Sequence, residues 1–347
     1  MEAHLVKNNR MEWVDAMRGF SMIIVVLGHV LVSMGIGAYS SFLSTILLTF
    51  RMPLFFFVSG FFSYRHYTAW SKSKITDILK RKFQAQILCT LIFFSIFQLV
   101  HQDIISFHNG FGGYWFTIVL FQMYVLYLIF VGLSRVINRE VTLLLLILTS
   151  VLFLGILILD RGTSRIWNIL CWENLTKYMQ FFTAGIIVSK YRDIFFRIID
   201  RNWLITTVII GYTIGMLAYY STAFKTGYPL LYAMNHDILV RYLGLLLVII
   251  VFYANRNSIQ TDTTPNRWLK FIGRRTLDIY MLHYFFLPNM TILYPWIAND
   301  QLIIIQLMIS LIISFAIVCV CLGISYIIRR SQTLEAWLFG VKIKRLV

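Results

Sequence analysis

Charge is scarce in this chain. Only 13% of its 347 residues are charged, whereas 59% are hydrophobic and the mean hydropathy is +0.74; soluble domains carry about 25% charged residues. Negative charge is scarcer still, with 15 Asp and Glu against 31 Lys and Arg and a net charge of +16. Cysteine is nearly absent. Cys89, Cys171, Cys319 and Cys321 form neither a CxxC pair nor a zinc-type spacing, so no disulfide framework and no metal site are expected. Thiols of this kind pack as small apolar side chains. No GxSxG elbow is present, which removes the signature of a serine hydrolase. No internal repeat is evident, which weakens a transporter built from inverted halves. The opening residues contain Glu2, Glu12 and Asp15 instead of a cleavable signal pattern, so the first apolar segment is expected to stay in the mature protein. Long polar stretches are also missing, and no soluble domain is expected.

What the chain does have is apolar runs near the ~20 residues that span a bilayer. They fall at 13–35, 42–64, 84–101, 114–133, 142–159, 178–190, 203–221, 238–254, 274–295 and 301–328. The expected fold is an all-α polytopic membrane protein of about ten transmembrane helices, forming one domain over residues 1–347. Its membrane core would run from 13 to 328, with a short tail at 329–347. Arg51, Arg161, Arg165, Lys177, Lys225 and Arg241 are the exceptions among the 31 basic residues. All the others lie at the termini or in alternate loops. The positive-inside rule then places both termini in the cytoplasm. It also accounts for the net charge by contact with membrane lipids, without nucleic acid.

The most informative pair is Arg18 and His29, ten intervening residues apart in the first segment. Eleven steps of about 100° return a helix to within about 20° of its starting direction, so both side chains share a face, about 16 Å apart along the axis. Intramembrane ionisable groups are expensive and point to function. A neutral imidazole can take a proton from a hydroxyl or act as a nucleophile. A guanidinium can grip a phosphate or carboxylate, or it can anchor a helix end by snorkelling. Asp15, three residues before Arg18, is placed to pair with it.

Arg51 lies about 13 Å inside the second segment, too deep to snorkel easily, and so should face a polar cavity beside the kink expected at Pro53. Ser59-Gly60 reads as a close helix contact rather than a catalytic serine. The run Lys72 to Lys82 is the densest in basic residues; it sets topology and contacts headgroups, or it anchors the phosphates of a cytoplasmic donor through Lys80, Arg81 and Lys82. His283 lies near the midplane of the ninth segment, as a core or a functional histidine, with Asp278 nearer the cytoplasmic edge. Tyr114-Trp115-Phe116 fits an aromatic belt or the cover of a substrate entrance. His101, His108, His236 and Asp237 fall in outer loops and are read as solvated.

Taken in order, Trp13-Val14-Asp15-Ala16-Met17-Arg18-Gly19, Arg18 through His29, Phe50 through Gly60, Tyr114-Trp115-Phe116, Phe181 through Gly185 and Ile272-Gly273-Arg274 through His283 resemble acyltransferase family 3, the membrane enzymes of bacteria. The chain departs from that family at Arg51, where histidine is common, and at Gln84-Ala85-Gln86, where a proline often follows the basic pair. The resemblance implies a multi-pass protein of the bacterial cytoplasmic membrane. It implies transfer of an acyl group, usually acetyl, from acetyl-CoA as co-substrate to a hydroxyl of a surface glycan or lipid-linked sugar, with no bound cofactor. Arg18 would orient the donor and His29 act as base or acyl carrier. Arg51, Asp15, Trp115 and His283 would face substrate. Some members carry an extracytoplasmic esterase-like domain; here the membrane part would finish the transfer itself or pass the acyl group to another protein. The competing readings are a flippase for a lipid-linked sugar, which needs no acyl donor, and a membrane scaffold, which would tolerate changes at Arg18 and His29.

Overall fold

A bilayer offers backbone amides and carbonyls no partner, so apolar runs satisfy them internally as helices. The computed structural model describes residues 11–34, 42–101, 111–160, 170–288 and 303–340, and among these it contains no strand. The helices are α1 (Glu12–Ser33), α2 (Phe42–Phe61), α3 (Lys72–Lys82), α4 (Cys89–His101), α5 (Trp115–Ile137) and α6 (Thr142–Asp160). They continue with α7 (Trp172–Lys190), α8 (Arg192–Ile199), α9 (Asn202–Tyr220), α10 (Thr222–Gly227), α11 (Pro229–Met234) and α12 (Val240–Ala254). The last are α13 (Arg256–Gln260), α14 (Thr264–Arg274), α15 (Thr276–Leu282), α16 (Ile303–Ile328) and α17 (Gln332–Phe339).

Among the described residues seven helical stretches are long and apolar enough to cross a membrane: Glu12–Ser33, Ser44–Phe61, Lys72–Val100, Gly112–Ile137, Asn202–Tyr220, Pro229–Ala254 and Ile304–Ile328. Thr142–Ile158 is a shorter apolar helix. Two expected segments look different. The sixth corresponds to α7, which carries Glu173 and Lys177 near its start. The ninth is broken: α14 stops at Arg275, α15 runs only to Leu282, and a 3-10 turn follows over His283–Phe286. The third segment is longer than expected, because α3 passes into α4 through a π-helical turn at Phe83–Leu88. The positions of His108, Arg161 and Arg165, and residues 289–295 of the ninth segment, lie outside the described residues, as do both chain ends.

Three kinds of contact hold the bundle. The first is close backbone approach at glycine. A Cβ on Gly185 of α7 would lie 2.0 Å from Phe57 O of α2, and one on Gly60 would lie 2.0 Å from Phe182 O. The same occurs between α1 and α14: a Cβ on Gly19 would lie 2.1 Å from Leu269 O, and one on Gly273 would lie 1.8 Å from Asp15 O. Ser59-Gly60 is thus a packing point, as small residues at membrane helix crossings generally are.

The second is hydroxyl pairing between helices. Thr90 meets Thr117 at 2.6 Å, Ser134 meets Thr142 at 2.7 Å and Ser150 meets Thr183 at 2.9 Å, tying α4 to α5, α5 to α6 and α6 to α7. Each pair satisfies two polar groups that lipid would leave stranded.

The third is a set of ion pairs at one end of the bundle. Lys270 meets Glu12 at 2.8 Å and Arg274 meets Asp15 at 3.4 Å, binding α14 to α1. Arg329, just past α16, grips the buried Asp278 of α15 with Nε and Nη2, both at 2.8 Å. Ser325 also donates to Asp278, and Glu335 of α17 takes a third Arg329 nitrogen. Burial opposes the charge of Arg329, but Asp278 and Glu335 outweigh it and hold its pKa above the ordinary arginine value. α17 folds back on α4, with Phe339 stacked on Phe93 at 6.2 Å.

One expectation is overturned. His236 and Asp237 are not solvated loop residues: they sit in a π-helical turn (Asn235–Leu239) leading into α12, both partly buried, with His236 Nδ1 3.0 Å from Asp237. Pro229 at the first turn of α11 starts a helix that continues into α12 and carries both residues in from the loop.

Packing at glycine yields a direct test. Gly185→Ala should force α2 and α7 apart and cost about 1–3 kcal/mol of stability, lowering the unfolding temperature of the detergent-solubilised protein. Gly155→Ala, at a site with nothing within 4 Å of the added Cβ, should leave that temperature unchanged.

Candidate functional site

Arg18, Met22 and Val25 occupy one face of α1 and line a cavity of about 320 Å³. His29 lies one turn beyond Val25 on the same face, as the spacing from Arg18 requires. Met52, Phe55 and Ser59 of α2, with Phe62 just past its end, form a second wall, and Thr276 and Tyr280 of α15 a third. Arg18 Nη2 donates to Thr276 Oγ1 at 3.0 Å, so the guanidinium is anchored at the break between α14 and α15. The carboxylate of Asp15 lies one turn earlier and meets Arg274.

The remaining walls come from Phe116, Thr117, Leu120 and Tyr124 of α5 and from the π-helical turn with the end of α3. The extra residue of that turn rotates the start of α4 relative to α3, and Lys82, Ala85 and Gln86 line the cavity. Lys82 Nζ stands 3.8 Å from the centroid of the Tyr124 ring. Gln84-Ala85-Gln86, where the sequence departs from the family pattern, is the stretch that makes this turn. A second opening of about 380 Å³ adjoins the first, sharing Phe62, Lys82, Ala85 and Tyr124 and adding Arg65, Trp70 and Arg81. The mouth therefore gathers Arg18, Arg65, Arg81 and Lys82. Lys80 is exposed on α3 and lines neither opening.

His29 stands beyond the residues that line the cavity, and its Nε2 is 3.0 Å from Tyr284 Oη. Tyr284 Oη donates to Gly113 O at 3.0 Å, and Tyr280 Oη donates to the same carbonyl at 2.7 Å. Tyr114 Oη donates to Met281 O at 3.1 Å, closing the cluster. With the single Tyr284 proton given to Gly113 O, the contact to His29 is an Nε2–H donating to Oη, and the imidazole lone pair is on Nδ1. His283 packs beside His29 with ring centroids 5.2 Å apart. Its Nδ1 donates to the Ile279 and Tyr280 carbonyls at 3.0 and 2.8 Å. Its Nε2 is buried and has no hydrogen-bond partner among the described residues. Arg51 reaches the same level from α2: a Cβ on Gly28 would lie 1.6 Å from its Nη1.

The structure thus brings Arg18 and Lys82 to one cavity, Arg81 to its mouth, and Arg51 and His283 to the level of His29. Trp115 stacks on Tyr178 at 5.5 Å and its neighbour Phe116 lines the cavity instead. Among the described residues no group of three His, Cys, Asp or Glu is arranged to hold a metal. Sequence reasoning missed Tyr284, Tyr280, Gly113, Gln86 and Tyr124. The available signal was a tyrosine directly after His283 and a glycine pair directly before Tyr114. A Cβ on Gly113 would lie 2.0 Å from the Tyr284 ring, which explains the glycine there.

A family model described as an acyltransferase domain matches residues 11–330. No curated protein and no solved structure matches the chain.

The hydrogen bond to His29 can be tested by Tyr284→Phe, which keeps the ring and removes the hydroxyl. Loss of one bond to a group that gains charge costs about 1.5 kcal/mol, so turnover should fall about tenfold, with the protein present in the membrane at normal level. Unchanged turnover would remove Tyr284 from the site.

Proposed function

The chain belongs to acyltransferase family 3, and from that premise we propose that it is an integral membrane O-acyltransferase moving acetyl from cytoplasmic acetyl-CoA to a hydroxyl of an extracytoplasmic or lipid-linked glycan. One observation carries this reading: a basic cavity lined by Arg18 and Lys82 follows a single face of α1 that has His29 one turn further on. A CoA thioester has charge at one end and a reactive carbonyl at the other, and this arrangement offers cations to the first and an imidazole to the second.

Arg81 and Lys82 take the donor phosphates, for which guanidinium and ammonium groups are suited. Arg18 fixes the donor between α1, α2 and α15. The acceptor hydroxyl gives its proton to His29 as its oxygen attacks the thioester carbonyl. The carbon–sulfur bond then breaks, and the proton passes from the imidazolium to the leaving CoA thiolate. Tyr284 and Gly113 O keep the ring oriented while it carries the added proton, the part a carboxylate plays in a serine protease triad. Passage through an acetyl-His29 would use the same groups in two steps. Arg51, whose guanidinium packs against Gly28 next to His29, is the cation that stabilises the oxyanion formed at the carbonyl. The family and the basic mouth, which sits where the positive-inside rule puts the cytoplasm, support localisation in a bacterial cytoplasmic membrane.

The test is mass spectrometry of surface glycan from cells carrying the wild type, His29→Ala or an empty vector. Loss of a general base costs about 10²–10⁴ in rate, so base-labile acetyl, about 42 Da per group, should appear with the wild type alone. Equal acetyl in all three samples, with both proteins present in the membrane, would overturn the reading and favour the flippase.

A further inference from the structure

The chemistry above uses nothing from the far end of α2, yet a second charged cavity is built there. It encloses about 310 Å³ between the ends of α6 and α7 and the short helices α10 and α11. Glu173 and Lys177 of α7, Lys225 of α10, Tyr232 of α11, and His236 and Asp237 of the π-helical turn line it. Asp237 Oδ1 is the hub: His236 Nδ1 lies 3.0 Å away, Arg241 Nη2 3.4 Å and Lys177 Nζ 3.6 Å. Gln180 Nε2 holds the Asp237 carbonyl at 3.2 Å. Two of the lining residues, Tyr232 and His236, each stack on Tyr219 behind them, at 5.8 Å and 5.2 Å with planes within 16° and 21°. Lys177 and Arg241 share this one carboxylate with His236, beside a void of ligand size that Glu173 and Lys225 also line, and together they form a polar constellation of the sort that fixes a ligand.

The helix α2 measures where this cavity stands. His236 and Arg241 also line a small void against Thr45 and Thr49 of α2. Arg51 is six residues past Thr45, about 9 Å along the axis, and the donor cavity begins at Met52. Arg241, 3% exposed, continues inward to Tyr178 Oη at 3.3 Å, and Tyr178 stacks on Phe56 and Trp115. The two cavities therefore approach the His29 level from opposite ends of α2.

We propose that the cavity of Glu173, Lys177, Lys225, Tyr232, His236 and Asp237 is the recognition subsite for a pyranose unit of the acceptor glycan, an assignment that rests on the acyltransferase reading. Carboxylates accept hydrogen bonds from ring hydroxyls, ammonium groups donate to ring and hydroxyl oxygens, and the Tyr232 ring covers the apolar face of the sugar. Glu173 and Lys177 at the rim contact the sugar. Asp237 and Arg241 position them and carry the site inward.

The test uses full-length protein in nanodiscs, acetyl-CoA, and surface glycan from the expressing cells stripped of esters by alkali. Lys177→Gln, Glu173→Gln and Tyr232→Leu should each raise KM for this glycan about tenfold and leave KM for acetyl-CoA unchanged. Ala233→Trp, which fills the cavity while keeping every charge, should do the same, so the result does not depend on variants that disturb the ion cluster. A purely structural role would move both KM values together and lower the unfolding temperature, and that outcome overturns the proposal. Unchanged glycan KM in all four variants overturns the subsite while the acyltransferase reading stands. A wild type that transfers no acetyl to the glycan overturns the acyltransferase reading itself, and the subsite assignment with it.

Discussion

The position of α1 depends on its crossing with α14. Gly19 and Gly273 interleave so closely that neither position accepts a Cβ, and this contact brings Asp15 to Arg274 and Glu12 to Lys270. Charge is affordable at this depth because each carboxylate has a cation and each cation lies near the bundle end. Once α1 is held there, Arg18 must meet Thr276, where α14 gives way to α15, and the face carrying Met22, Val25 and His29 must turn toward α2 and α5. Loosening the crossing would displace the whole row, since a helix transmits rotation along its length.

Irregular backbone appears where this row needs neighbours. The π-helical turn at Phe83–Leu88 opens α3–α4 toward the cavity, and the break at Arg275 with the 3-10 turn at His283–Phe286 lets one short stretch supply Thr276, Tyr280, His283 and Tyr284. A second π-helical turn, Asn235–Leu239, brings His236 and Asp237 to the lining of the second cavity. These three departures from α geometry each lie beside a cavity, where irregular backbone is tolerated. Glycine does the complementary work: Gly28 and Gly113 make room for Arg51 and Tyr284 in the one layer that contains His29.

Much of this was legible beforehand. Helical class follows from the apolar runs, and the shared face of Arg18 and His29 follows from an eleven-residue step. The packing role of Gly60 follows from a small residue in an aromatic run. The partners were harder to read. Asp15 has Arg18 one turn away in sequence, but the cation paired with it across the bundle is Arg274, 259 positions on. Trp115 and Phe116 are adjacent in sequence and only the latter reaches the cavity. Lys80, Arg81 and Lys82 look equivalent as a run, yet a helix points successive side chains 100° apart, and only the last two reach an opening. His236 and Asp237 were read as loop residues because the helical signal around them is carried by short, weak segments.

The sequence by itself determined the class of protein, the family, and the row of residues on α1, because these depend on composition and on a period internal to one segment. Tertiary structure alone decided which groups face that row: Tyr284 and Gly113 O on His29, Thr276 on Arg18, Tyr124 under Lys82, and the cluster around Asp237. Those contacts join residues up to 258 positions apart, and no local pattern encodes them. They arise from where glycine lets two backbones touch and from the requirement that every charge drawn into an apolar bundle find its counterpart there.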